Sequence, residues 1–133
     1  CVGSLKSKKV NQIRLITNTF KNRIHFLHLR NIKNIDDING VYNSGYSFIE
    51  SNHLDGDVNM FDVLKIMINE QNNRDINIYK YKSLPLRPDH GHLMLDDIYK
   101  NNNKINPGYT LYGRFKGLCE LRGIVYSIKY SKL

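Results

Sequence analysis

The 133-residue sequence has no tryptophan, no alanine, three prolines and two cysteines. Three prolines and nine glycines are too few for a collagen-like repeat or a Pro/Gly-rich low-complexity chain. Two cysteines, Cys1 and Cys119 at opposite ends, make no disulfide framework. No apolar run approaches the roughly 18–20 residues that span a bilayer, so a membrane is not expected as a partner. No charged segment followed by an apolar one stands behind Cys1, so no secretory leader is read. With 41% hydrophobic and 24% charged residues, what is left is a globular chain of one-domain length, long enough to bury a core, and a cytoplasmic location is expected for it. A first residue of Cys1 rather than Met predicts either processing or a piece of something longer.

Acidic residues are the minority, 12 against 20 basic ones, giving a formal charge of +8. Such a charge first suggests a polyanion, but its distribution argues otherwise. Apart from Lys6-Ser7-Lys8-Lys9, the cations are scattered among Asn and Ile. With alanine absent and Asn, Lys, Ile and Tyr abundant, the bias reads as low-GC coding rather than as selection for phosphate contacts. Nucleic acid is therefore not expected as a partner. Cys119 lies among Gly117, Leu118 and Leu121 and is expected to be a buried small apolar residue. Cys1 is open to two readings, a cut or lipidated terminus and a thiolate metal ligand.

Periodicity orders the rest. Val10, Ile13, Ile16 and Phe20 fall near a helical repeat. The stretch 23–31 is too apolar and β-prone for a loop and reads as a strand buried on both faces. Residues 32–51 read as a long loop with room for one short strand around Phe48 and Ile49. A turn over 53–57 leads to a second helix that Asn59 can cap, with Asp62 in its first turn. Met60, Val63, Leu64, Met67 and Ile68 give that helix an apolar face. Residues 69–82 are a polar connection, 83–89 an extended segment held out of a helix by Pro85 and Pro88, and 96–107 a polar loop. A last helix is expected over 109–122, stopping at Gly123, with Gly113 and Gly117 letting it approach a neighbour. The order helix, strand, helix, strand, helix predicts parallel α/β, and with so few strands the fold looks unfinished.

Four features can carry chemistry. Arg87-Pro-Asp-His-Gly-His92 gathers a guanidinium, a carboxylate and two imidazoles where an extended segment ends, the place where α/β folds bind ligands. Asp89 can bind a metal, and His90 and His92 can bind metal, transfer protons or hold hydroxyls. By strand parity Ile24, Phe26, His28 and Arg30 share one face and His25, Leu27 and Leu29 the other. That puts His28 and Arg30 at a mouth, His25 under a helix, and Asn31 on the rim, in reach of a substrate. Cys1, His28 and Asp89, at three successive strand ends, would make a mixed S/N/O set suited to Mn, Fe, Co or Zn more than to Mg or Ca. Asn106-Pro-Gly-Tyr109 sets a phenol at a helix start, able to serve as acid, base or anion donor, or simply to pack against the neighbouring loop. His53-Leu-Asp-Gly-Asp57 lacks the periodic oxygens and closing Glu of a calcium loop.

These strings, with Gly113-Arg-Phe-Lys-Gly-Leu-Cys-Glu-Leu-Arg-Gly123, Cys1-Val-Gly-Ser-Leu5, 23–31 and 53–57, resemble the carboxyl-terminal region of the mannonate dehydratase family from end to end and in order. Departures fall in 34–46, 72–82 and 101–105, and at Cys119 within the last signature. The resemblance implies the carboxyl-terminal part of a (β/α)8 TIM barrel, similar to the xylose-isomerase group, since a complete barrel takes about 250 residues. It implies a hydro-lyase that dehydrates D-mannonate to 2-keto-3-deoxy-D-gluconate in hexuronate and glucuronate catabolism, with Mn2+ or Fe2+, homo-oligomeric at full length. It further implies Cys1, His28 and Asp89 as metal ligands beside an upstream histidine. His90 and Tyr109 would be the acid/base pair, with Arg87, Arg30, Asn31, His53 and His92 around the substrate. The competing readings are a non-catalytic basic α/β module binding polyanions and another metal-dependent barrel of the sugar-isomerase type.

Overall fold

The computed structural model describes residues 1–35, 47–79, 83–89, 94–95, 99 and 109–131. Two short helices come first, α1 (Val2–Lys6) and α2 (Ile13–Phe20), followed by a 3-10 turn at Lys21–Arg23 and strand β1 (Leu27–Leu29). Strands β2 (Asn31–Ile35) and β3 (Ser47–Ser51) follow, then α3 (Met60–Asn73), β4 (Leu86–Pro88) and α4 (Leu111–Tyr130). The sequence α2, β1, α3, β4, α4 has the expected alternation.

Helix α3 forms where its sequence says it should. The Asn59 side chain accepts a hydrogen bond from the Asp62 amide at 3.0 Å, meeting one of the amides that a helix start leaves without an internal partner. Met60, Val63, Leu64 and Met67 are buried along one stripe. The helix runs on to Asn73, beyond the expected change at residue 69, and its exit is tied down by Arg74. That guanidinium is buried, donates to the carbonyls of Lys21 (3.1 Å) and Ile24 (2.6 Å), and sits over the Tyr79 ring. Helix α2 is shorter than its apolar spacing predicts: it starts at Ile13, while Val10 before it and Phe20 at its end are largely exposed.

Strands β1 and β4 pair in parallel, Leu27 with Leu86, His28 with Arg87 and Leu29 with Pro88. Leu27 and Leu29 point into the core formed with Met60, Leu64, Met67 and Leu121. Alternation along a strand then turns His28 the other way, as parity predicted. His25 does not follow that reading: it is exposed and lies 6.2 Å, ring to ring, from Tyr79. The segment read as a long loop with a single strand contains two, an antiparallel pair that sets Asn31 against Ser51 and Ile35 against Ser47.

Helix α4 continues seven residues past Gly123 to Tyr130. A glycine costs a helix interior about 1 kcal/mol relative to alanine, which a 20-residue helix seated on α3 and β4 can absorb. Its inward stripe is Gly113, Gly117, Leu121 and Ile124. Cys119 lies outside that stripe and is exposed, contrary to the buried position expected for it.

Candidate metal centre

The carboxyl end of the parallel pair and the start of α1 meet at one place. Cys1 is the N-cap of α1, His28 lies in β1, and Asp89 directly follows β4. Their donor atoms (thiol sulfur, imidazole nitrogen and carboxylate oxygen) all lie within 4.8 Å of one another. His28 Nε2 is 3.0 Å from Asp89 Oδ1. Donors sharing one transition ion at about 2.0–2.3 Å stand roughly 3–4.5 Å apart, a spacing in keeping with this grouping. Asp89 is only 8% exposed, and a buried carboxylate calls for a cation or donors beside it.

His28 Nε2 is contested. It lies 3.3 Å from Arg87 Nη2 as well as beside Asp89. One ring nitrogen cannot both donate to a carboxylate and accept from a guanidinium. A cation held by Cys1, His28 and Asp89 would take the nitrogen lone pair and leave the Arg87 N–H for another acceptor. The donor set, soft sulfur with nitrogen and a hard oxygen, therefore fits a borderline divalent ion.

Arg30 brings positive charge to the same mouth. It forms a two-pronged ion pair with Glu50 on β3, one arm being Nε to Oε2 at 2.9 Å. Its Nε is 3.7 Å from Asp89 Oδ2, and its guanidinium lies 5.3 Å from the Phe48 ring centre. Hydrogen bonding to Glu50 raises the pKa of Arg30 further, against the opposing effect of burial, so the group is a fixed cation. Tyr109, half-exposed just before Thr110, the N-cap of α4, contributes to the field at Arg30 and carries the Arg114 guanidinium 4.7 Å from its ring centre.

The structure thus draws Cys1, His28, Asp89, Arg30 and Arg87 together. Asn31 turns inward instead. Its Nδ2 donates to the carbonyls of His53 (2.8 Å) and Val58 (3.0 Å), and its Oδ1 accepts from the amides of Ile32 and Val58, which engages the amide fully. His53 is buried, 4% exposed, with Nδ1 3.6 Å from Glu120 Oε2 on α4. Its Nε2 has no hydrogen-bond partner among the described residues. Burial lowers the His53 pKa, with Glu120 opposing that shift. A methyl group at Gly117 would come within 2.4 Å of His53 Cε1, so the ring occupies space that only a glycine leaves. His90 and His92 lie outside the described residues.

Sequence reasoning missed Glu50, Ser4 and Glu120. Glu50 sits in the segment read as a loop, and its role depends on a strand pairing. Ser4 touches both Cys1 and Arg30, and its helical spacing of three from Cys1 was the available signal. Glu120 lies inside a quoted signature, but its partner His53 is remote in sequence.

Comparison with known proteins follows the same residues. The profile of the D-mannonate dehydratase (UxuA) family matches residues 1–133. Mannonate dehydratases of Brucella canis and Brucella melitensis are each 40% identical to the chain over 128 residues, covering 96% of it. The chain spans 28% of the length of these relatives. The crystal structure of mannonate dehydratase from Streptococcus suis serotype 2 superposes with a TM-score of 0.69 at 27% identity, covering 96% of this chain and 31% of that one. The described elements are therefore a mixed α/β arrangement matching part of a mannonate dehydratase.

Proposed function

Because the chain belongs to the D-mannonate dehydratase family, we propose that it forms the carboxyl-terminal, metal-binding part of a barrel enzyme that dehydrates D-mannonate to 2-keto-3-deoxy-D-gluconate. The observation that carries this reading is the convergence of Cys1, at the start of α1, with His28 of β1 and Asp89 after β4, in a chain matched by the family along its whole length. Cys1, His28 and Asp89 would hold a divalent ion, Mn2+ or Fe2+, that supplies positive charge to the substrate oxygens as the C2 proton leaves. The chain's own residues do the rest. Arg30 and Arg87 give the mouth the charge that attracts and orients a sugar-acid carboxylate. The proton on C2, next to that carboxylate, is taken by a base, and the C3 hydroxyl leaves as water with a proton from an acid. Tyr109 and His90 are the pair assigned to these transfers, and His92 and His53 are assigned to substrate hydroxyls. The resulting enol becomes the 2-keto acid by gaining a proton at C3 and losing the proton of its C2 hydroxyl.

The test is D-mannonate turnover by the complete enzyme before and after chelation, with metal content measured alongside. Turnover that vanishes on chelation and returns with Mn2+ or Fe2+ is expected. Asp89→Asn and His28→Ala should each lower bound metal and turnover together. Activity and metal content unchanged in both variants would remove the assignment, and aldose–ketose interconversion in place of mannonate turnover would move the enzyme to the isomerase class.

A further inference from the structure

We propose that Ser4 is a positioning residue for the Cys1 sulfur, held in place by Arg30 and, through Arg30, by Glu50. The inference rests on the reading of Cys1 as a metal ligand and adds three residues to it. The Ser4 hydroxyl lies 3.2 Å from Cys1 Sγ, and the Ser4 amide 3.5 Å from the same sulfur. Arg30 Nη1 lies 3.2 Å from the Ser4 hydroxyl oxygen. Donor chemistry fixes the direction of this relay. A guanidinium can only donate, so the Ser4 oxygen accepts from Arg30 and its single hydrogen is free to point at the sulfur.

A cysteine side chain at the exposed start of a short helix has three staggered positions about one bond. Two donors from Ser4 select the one that faces His28 and Asp89. Arg30 cannot drift from Ser4, because Glu50 holds it through two N–H groups and Phe48 lies beneath its plane. Its side-chain stem rests on Gly3, where a methyl group would meet Arg30 Cγ at 2.7 Å and the Arg30 carbonyl oxygen at 2.9 Å. The β2–β3 hairpin is thereby tied to the first turn of α1. Outer partners of this kind orient metal ligands, and their loss typically costs about 10–100-fold in metal affinity.

The test uses the full chain titrated with Co2+, following the sulfur-to-cobalt charge-transfer absorption and the affinity it reports. The unaltered chain shows the band, and Cys1→Ser abolishes it. Ser4→Ala should weaken Co2+ binding about 10–100-fold and shift the band, while Ser4→Thr, which keeps the hydroxyl, restores both. Glu50→Gln should change them in the same direction by a smaller factor. Ser4 is exposed, so removing its hydroxyl leaves the core intact, and matched circular dichroism spectra check this. If Ser4→Ala and Glu50→Gln match the unaltered chain while Cys1→Ser loses the band, the positioning role is wrong and the metal reading stands. If Cys1→Ser retains both band and affinity, the metal reading falls and this proposal with it.

Discussion

The two strand pairs of this chain are held by opposite means. The parallel pair β1–β4 is three residues deep in register and lies on apolar side chains, with Leu29 fully buried beneath it. The antiparallel pair β2–β3 buries Ile32 fully but leaves Lys33, Ile35 and Ile49 exposed, and it is anchored at its root by polar groups. Asn31 carries four hydrogen bonds there, and Asp57 accepts from the amide and side chain of Asn34, each at 2.9 Å. The apolar pair supplies His28 and Asp89, and the polar one supplies Glu50. The comparison teaches that His28 and Asp89 stand on a pair held by apolar burial, while Glu50 stands on a pair whose root depends on hydrogen bonds.

The strongest way to break this contrast is Asn31→Leu. It leaves two buried amides and two carbonyls without partners, at about 1–3 kcal/mol for each group not rescued by water, so a loss of roughly 3–5 kcal/mol is expected in urea unfolding. Hydrogen exchange should show the hairpin amides deprotected while those of β1 keep their protection. Equal deprotection of both pairs would erase the distinction.

Leu29→Ala is the counterpart in the parallel pair. Deleting a fully buried leucine costs about 2–5 kcal/mol, here expected near 3 because α3 and α4 can close part of the space. The loss should appear as a lower urea midpoint with the slope unchanged, together with weaker divalent-metal binding.

Between the two regions sits His53, and pH sharpens its role. Its pKa is lowered by burial, so the folded state favours the neutral ring. Above the ordinary histidine value of about 6.5 neither folded nor unfolded chain binds the proton, and stability is complete. As pH falls through that value the unfolded chain takes up a proton that the folded one resists, and stability declines by at most ~1.4 kcal/mol per pH unit. Glu120, Lys116 and Asp89 face the ring electrostatically, the carboxylates softening the decline and Lys116 steepening it. Thermal melts of His53→Gln between pH 7.5 and 5.5 should be flatter than those of the unaltered chain; parallel profiles would remove His53 as the cause.

Ile49→Thr is the smallest change. Ile49 is 52% exposed on β3, and a β-branched replacement there should shift stability by less than about 0.5 kcal/mol. A loss above 1 kcal/mol would reveal an apolar anchor in the hairpin that its burial does not show.

What was legible in the sequence follows from how far each signal reaches. The Asn59 cap and the Met60–Met67 stripe are local, and α3 obeys them. The parity of β1 separated Leu27 and Leu29 from His28 correctly, because alternation needs no partner. The hairpin was not legible: Asn31–Ile35 and Ser47–Ser51 have no strong apolar alternation, and their pairing comes from a network centred on Asn31 and Asp57. Gly123 signalled a stop that Ile124, buried in the next turn, overrides by packing. Cys119 was placed by its sequence neighbours and is exposed because α4 turns it outward, whereas His25 was placed by strand parity and lies before β1, which starts only at Leu27. Cys1, His28 and Asp89 were named together as donors expected at three successive strand ends, and the family resemblance implied the same set. No spacing rule would have assembled them, and their grouping within 4.8 Å is a property of the folded chain.

The register of β1 with β4 also bears on the order of folding. Arg87 and His28 meet across 59 residues of chain, whereas Arg30 and Glu50 meet across 20. Loop-closure entropy grows with the length enclosed, so the hairpin can close before the parallel pair does. Contacts made after the rate-limiting step slow unfolding without speeding folding. An ion shared by Cys1, His28 and Asp89 would act at that late stage, lengthening the lifetime of the closed chain while leaving the rate at which it forms nearly unchanged.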